Sequence, residues 1–249
     1  IFQEQFEHHT PVHYESSLSD LSYDGKMFTC TFTHPDGSNH QHMSERVLFA
    51  TGRIPNTDNL KLENTDIEID SRGFIKTDDY LKARVPGIYA AGDIAGNFIL
   101  QHTASYDIHY LSQALLKGST QSLDYGAVPH AIFTEPEVAS VGFTETELQQ
   151  QGIRYVKTLR DWKSSARAMA SKLDYPCTRS LICPETYAVL GCHLIGPDSS
   201  TLIHQILMLM HLKNDIREVP KMIHIHPALP ELFVDAAVDV IKQANAANM

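Results

Sequence analysis

The sequence predicts an α+β chain of antiparallel strands and helices. Three observations predict it. First, F-T-C-T-F at residues 28–32 alternates in polarity between the turn dipeptides Asp24-Gly25 and Asp36-Gly37, the pattern of a strand meander. Second, residues 173–184 and 186–196 alternate loosely about Pro184-Glu185, the pattern of another hairpin. Third, residues 101–116 and 201–212 are long enough, and apolar at the right spacing, to be helices.

Composition bounds the rest. The chain has 249 residues, enough for one large or two modest domains with a real core. Apolar residues make up 43% and charged residues 20%, ordinary for a globular protein. A net charge of −10 argues against nucleic acid, because phosphate binding needs a basic face. No apolar run reaches the roughly 20 residues that span a bilayer. No basic, then apolar, leader opens the sequence. The expectation is a cytoplasmic protein that binds neither nucleic acid nor membrane.

Taken in order, residues 1–49 are strand-rich, with residues 46–50 returning as a further strand of the meander. No G-x-G-x-x-G occurs in this part. Residues 47–52 read as an apolar strand that ends in a turn at Gly52, followed by Arg53. Residues 73–79 and 87–91 read as short strands, the second ended by Gly92-Asp93. A carboxylate on a strand-terminal loop can accept hydrogen bonds from sugar hydroxyls, although for Gly-Asp alone an ordinary turn is the better reading.

The helix over 101–116 carries Ala104, Ile108, Leu111 and Leu115 as one apolar stripe, and Gly118 stops it. Residues 119–126 form a polar connector, with a domain boundary near Ala127. Strands follow at 131–133 and 138–141. Thr144-x-x-Glu147 is a capping box that opens a short helix, and Gly152 closes it. Residues 155–162 are extended. Ser199 or Ser200 caps the helix over 201–212, which is apolar on nearly every face and so reads as buried on both sides. His204 reads as a core or interface histidine. A short helix over 215–219 stops at Pro220, and a last helix runs to about residue 243.

The chemistry concentrates in K-M-I-H-I-H-P-A-L-P-E-L-F-V-D-A-A, residues 221–237. Pro230 suits the first turn of a helix, which places Glu231 where the helix dipole favours a negative charge. The preceding loop can fold back so that His226 meets Glu231. A histidine held by a carboxylate keeps one tautomer and suits proton transfer near neutral pH. The same spacing also suits a plain surface histidine ahead of a helix. His224 and His226 suggest a metal only weakly, since no third ligand is evident; no metal is expected. Cys30, Cys177, Cys183 and Cys192 form no C-x-x-C pair and read as ordinary buried or half-buried thiols.

H-x-H-P-A-L-P-E resembles the C-terminal signature of the FAD-dependent pyridine nucleotide–disulfide oxidoreductases, the family of lipoamide dehydrogenase, glutathione reductase and mycothione reductase. A-T-G-R-I-P-N-T (residues 50–57), G-I-Y-A-A-G-D (87–93) and F-T-E-P-E-V-A-S-V-G (133–142) resemble further family motifs, in family order. The resemblance implies three parts. Residues 1–49 would be the tail of an NAD(P)-binding domain, 50–126 the second part of an FAD-binding domain, and 127–249 the interface domain of a homodimer. It implies His226 as the acid–base residue for the dithiol of the partner subunit, oriented by Glu231. It implies Asp93 on the ribityl chain of FAD, and Gln101, His102 and Thr103 at the helix start facing the flavin pyrimidine.

The family moves electrons between NAD(P)(H), FAD and a small disulfide or dithiol, with a lipoyl domain as a further partner. His224-x-His226 leans toward lipoamide dehydrogenase, and P-A-L-P-E toward mycothione reductase; a glutathione reductase stays open. The sequence holds no G-x-G-x-x-G and no C-x-x-x-x-C. The expectation is therefore a fragment, inactive alone and binding little or no FAD. A non-catalytic dimerisation module is the alternative.

Overall fold

The computed structural model describes residues 1–173 and 175–248. After helix α1 (Phe2–Glu7) come three antiparallel strands, β1 (Ser17–Tyr23), β2 (Phe28–Thr33) and β3 (Asn39–Ser44), in the order β1-β2-β3. The turns are made by carboxylates. Asp24 Oδ1 accepts the Lys26 and Met27 N–H groups, each at 2.7 Å, and Asp36 Oδ1 accepts the Ser38 N–H at 2.8 Å. Such side-chain-to-backbone bonds fix a turn locally, which is why the meander is legible in the sequence.

Residues 46–50 do not return as a strand. Their apolarity is real, yet Leu48 is 89% exposed and no neighbouring strand pairs with them among the described residues. A strand is defined by its partner, and an apolar run does not supply one. Residues 73–79 and 87–91 likewise form no strand among the described residues, and each takes part in an isolated bridge, Ile69↔Ile75 and Lys82↔Tyr89. They close a small cluster of Ile75, Ala83, Ala90 and Ala95.

Helix α2 (Gln101–Lys117) ends at Gly118, which takes the left-handed conformation at φ 72°. The expected buried stripe is only half packed. Ala104 and Leu111 are half-buried, Ile108 and Leu115 are exposed, and the fully buried positions are Thr103 and Asp107.

The second sheet is five-stranded and wholly antiparallel. Its strands are β4 (His130–Ile132), β5 (Val138–Gly142), β6 (Val156–Asp161), β7 (Cys177–Ile182) and β8 (Val189–Ile195), in the order β4-β5-β8-β7-β6. Helix α3 (Glu145–Gln150) opens with the capping box of Thr144 and Glu147, and the short helix α4 (Ala166–Ala170) follows β6. Helices α5 (Ser199–Leu212) and α6 (Leu232–Ala247) cover one face of the sheet. Ala139, Val141, Cys192 and Leu194 sit two apart along β5 and β8, so they share that face. Leu232, Ala236, Val240 and Ala244 repeat every four residues along α6 and are buried.

Three expectations about α5 need correction. Leu202, Ile203 and Ile206 are buried, but Met208 and Leu212 are exposed, so only one face is packed within the protomer. His204 is exposed, with Nδ1 2.8 Å from the Ser200 carbonyl, so of the core and interface settings expected for it the core is removed. The residue at the helix N-cap is Asp198, not Ser199 or Ser200; Ser199 turns back to donate to the Gly196 carbonyl. Residues 216–221 form a 3-10 turn that contains Pro220.

Candidate active site

The site is held by the start of α6. That helix is fixed to the sheet by its buried apolar row and by Arg160 on β6, whose Nη1 lies 2.8 Å from Asp239. A 3-10 turn, Leu229–Glu231, leads into it, with Pro230 in its first positions. Pro230 has no N–H to lose and a φ preset for a helical start. Glu231 therefore stands at a rigid helix N-terminus.

Both oxygens of that carboxylate are engaged. Oε1 lies 2.8 Å from Nδ1 of His226, and Oε2 accepts the Ala228 N–H at 2.8 Å. The Ala228 N–H, followed by the His226 contact, holds the Glu231 carboxyl below the usual carboxylate range. Because a carboxylate accepts, Nδ1 of His226 carries the proton and Nε2 is the free basic nitrogen. The His226 side chain is 70% exposed, against 26% for Glu231. The loop thus offers one imidazole nitrogen outward while the other is pinned from below. Beside it, Ile223 and Ile225 are fully or largely exposed.

His224 does not join His226 on a common ligand. Its Nδ1 lies 3.1 Å from the Met222 carbonyl. Among the described residues no group of three or more His, Cys, Asp or Glu is placed to hold a metal ion.

A second group of expected residues lies around the start of α2. Gly92–Ala95 is a 3-10 turn that carries Asp93. Asp93 Oδ2 lies 2.9 Å from Arg53 Nη1, and both side chains are substantially exposed. Arg53 also reaches the Ile99 carbonyl, at 3.5 Å. Thr103 donates to the Leu100 carbonyl at 2.7 Å and is buried. Gln101 and His102 are exposed, and no side chain caps the helix start at Leu100. His102 Nε2 lies 2.8 Å from the Pro129 carbonyl. No hydrogen bond or ion pair among the described residues joins this group to His226 and Glu231.

Two residues here were not singled out by their sequence. Asp107 is 2% exposed and accepts the Gly92 N–H at 2.8 Å, so it holds the turn before Asp93. Tyr125 donates to its other oxygen, also at 2.8 Å. Burial, then the bond to Asp107, pushes the Tyr125 hydroxyl up to about 12. Their only sequence signal is a charged residue on the buried side of a helix.

The thiols are separate. Cys30, Cys177 and Cys192 are buried, Cys183 is half-buried, and all four are free. Burial pushes the Cys192 thiol up to about 12 and raises Cys177 as well. Thiols raised in this way are poor nucleophiles, so Cys177 and Cys192 do not form a redox pair.

Known proteins bear on these two groups. Residues 3–107 match the model of the pyridine nucleotide-disulphide oxidoreductases, and residues 128–237 match the dimerisation domain of the same family. The dihydrolipoyl dehydrogenase of Haloferax volcanii is 34% identical over 210 residues, covering 84% of this chain and 44% of that protein. That of Chlamydia muridarum is 37% identical over 193 residues, 77% of this chain and 41% of its own. The chain thus spans less than half the length of these curated relatives. Among solved structures, LpdA of Mycobacterium tuberculosis superposes with a TM-score of 0.84 at 22% identity, over 95% of this chain and 51% of that one. The HOCl-induced flavoprotein disulfide reductase RclA of Escherichia coli gives 0.80 at 23%, over 90% and 50%. At these identities the structures speak for the fold.

Proposed function

The chain belongs to the pyridine nucleotide-disulphide oxidoreductase family, and on that premise we propose that His226 is the acid–base residue of a dihydrolipoyl dehydrogenase-like reaction, acting across a homodimer. The observation that carries this reading is the outward imidazole pinned at Nδ1 by Glu231. Nε2 takes the proton of a substrate thiol as the thiolate forms, and returns it in the reverse direction. Glu231 keeps the tautomer and balances the imidazolium. Proton transfer by a group so placed contributes about 10²–10⁴-fold to rate.

The family is FAD- and NAD(P)-dependent, and the residues around α2 suit a flavin. The exposed Asp93 carboxylate can accept from the hydroxyls of a ribityl chain. The uncapped N-terminus of α2, at Gln101, His102 and Thr103, presents N–H groups to the electron-rich pyrimidine edge. Bound there, FAD would relay an electron pair between the nicotinamide nucleotide and a protein disulfide. The exposed Arg53–Asp93 pair is no obstacle, since such pairs are worth only about 0–1 kcal/mol. The four cysteines do not supply the reactive dithiol.

The substrate is read as dihydrolipoamide, free or on a lipoyl domain, because the curated relatives named above are dihydrolipoyl dehydrogenases. No helix among the described residues is long and apolar enough to cross a membrane. The test is turnover of the FAD-loaded holoenzyme with dihydrolipoamide and NAD, against glutathione disulfide and mycothione disulfide with NAD(P)H. Preference for dihydrolipoamide, lost in His226→Gln, supports the proposal. Equal rates in wild type and His226→Gln overturn it, and a dimer that turns over none of the three favours a dimerisation module.

A further inference from the structure

We propose that Asp107 is a positioning residue for the turn that carries Asp93, and that Tyr125 couples this turn to the segment leading into the second sheet. The inference rests on the flavin reading of Asp93 and α2. It starts from a carboxylate that is 2% exposed and has both oxygens engaged. A buried carboxylate is stable only where its oxygens find donors. Asp107 takes one donor from the Gly92 backbone and one from the Tyr125 hydroxyl.

These two donors come from opposite directions along the chain. Gly92 is the residue before Asp93. It adopts φ +71°, and a Cβ added there would stand 3.1 Å from the Ala104 Cβ, so the turn is seated directly on α2. Tyr125 lies in the connector after α2. Its hydroxyl also receives Asn97 Nδ2–H at 3.3 Å, and its ring meets Phe98 edge-on at 4.9 Å. Asn97 and Phe98 belong to the loop between the Asp93 turn and the helix. One buried carboxylate thus ties the turn, the loop, the helix and the connector together.

The connector itself runs antiparallel along α2. Tyr110 donates to the Gln121 carbonyl at 3.0 Å and Tyr106 to the Asp124 carbonyl at 2.8 Å. Asp107 then holds Tyr125, and His102 lies 2.8 Å from the Pro129 carbonyl. Ascending the connector means descending the helix to its N-terminus, where β4 begins at His130. Displacement of the strap would therefore disturb the seat of Asp93 without touching Asp93.

The experiment compares wild type, Asp107→Asn, Asp107→Leu and Tyr125→Phe. Amide hydrogen exchange is read over residues 88–96 and 119–127, and FAD affinity by quenching of flavin fluorescence. Asp107→Asn keeps an acceptor for Gly92 and stays close to wild type in both. Asp107→Leu speeds exchange in both segments and weakens FAD binding about tenfold or more, from loss of hydrogen bonds to a charged group. Tyr125→Phe frees the connector and speeds exchange at 88–96 as well. Two results overturn the proposal: unchanged exchange at 88–96 in Asp107→Leu, or in Tyr125→Phe should the leucine variant not fold; and FAD binding weakened equally by Asn and Leu. Should wild type bind no FAD, exchange still decides the role of Asp107, and the failure lies with the flavin reading.

Discussion

Nδ1 of His226 lies 2.8 Å from Oε1 of Glu231, five residues ahead, and the other oxygen of that carboxylate holds the Ala228 N–H. The carboxylate therefore fixes both the ring and the loop that presents it. Its own position comes from α6, whose apolar row is buried in the sheet. Sequence spacing, helix start and side-chain geometry agree at this point.

Glu231 carries a pH signature. Its folded carboxyl is held below the usual carboxylate range, first by the Ala228 N–H and then by His226. A lowered group adds stability that is present above its unfolded value and is lost as pH falls through the folded one. In urea denaturation, Glu231→Gln is expected to lose stability relative to wild type above about pH 5, and the difference should shrink as both are acidified below it. A difference that stays constant with pH would contradict the linkage.

Asp93 and Arg53 differ in what they affect. Their pair is exposed, so Arg53→Ala is expected to change stability by no more than about 1 kcal/mol. Asp93→Ala should leave stability equally intact yet weaken FAD binding by about tenfold, the worth of a hydrogen bond to a charged acceptor. Urea denaturation checks the stabilities and calorimetric titration with FAD the affinity, and unchanged affinity in Asp93→Ala would remove it from the site.

Gly196 is closed to any side chain. Its φ is +146°, and a Cβ there would come within 2.6 Å of the Trp162 ring and 2.9 Å of Pro176. Trp162 is held in turn by its own Nε1–H, which donates to Thr178 at 2.9 Å. Gly196→Ala is expected to cost about 1–3 kcal/mol, from overpacking and backbone strain. A urea midpoint equal to wild type would show that the ring can move aside.

The thiols should react in two classes. Cys183 is half-buried, whereas Cys30, Cys177 and Cys192 are buried. With an aromatic disulfide reagent under native conditions, Cys183 is expected to react first, and Cys183→Ser should remove that phase. A second fast thiol would show that one of the buried positions opens.

How much was legible follows from how local each cause is. His226 and Glu231 are five residues apart, with a proline marking the helix start, so their meeting could be read from spacing. The capping box at Thr144 and the stop at Gly118 are local in the same sense. Asp107 and Tyr125 are 18 residues apart, and nothing between them signals the contact. The length of α2 was readable, but its packed face was not. That face is chosen by the turn and connector laid against it, which periodicity does not encode. Residues 46–50 failed for a related reason: an apolar run states a need for cover and says nothing about which strand supplies it.

The most direct measurement is the pH dependence of kcat/KM for dihydrolipoamide in the FAD-loaded holoenzyme, for wild type, His226→Gln and His224→Gln. The account predicts that His226→Gln loses about 10²–10⁴-fold in kcat/KM and one ionisation from the profile. His224→Gln should keep that ionisation. A profile of unchanged shape and height in His226→Gln would contradict the assignment.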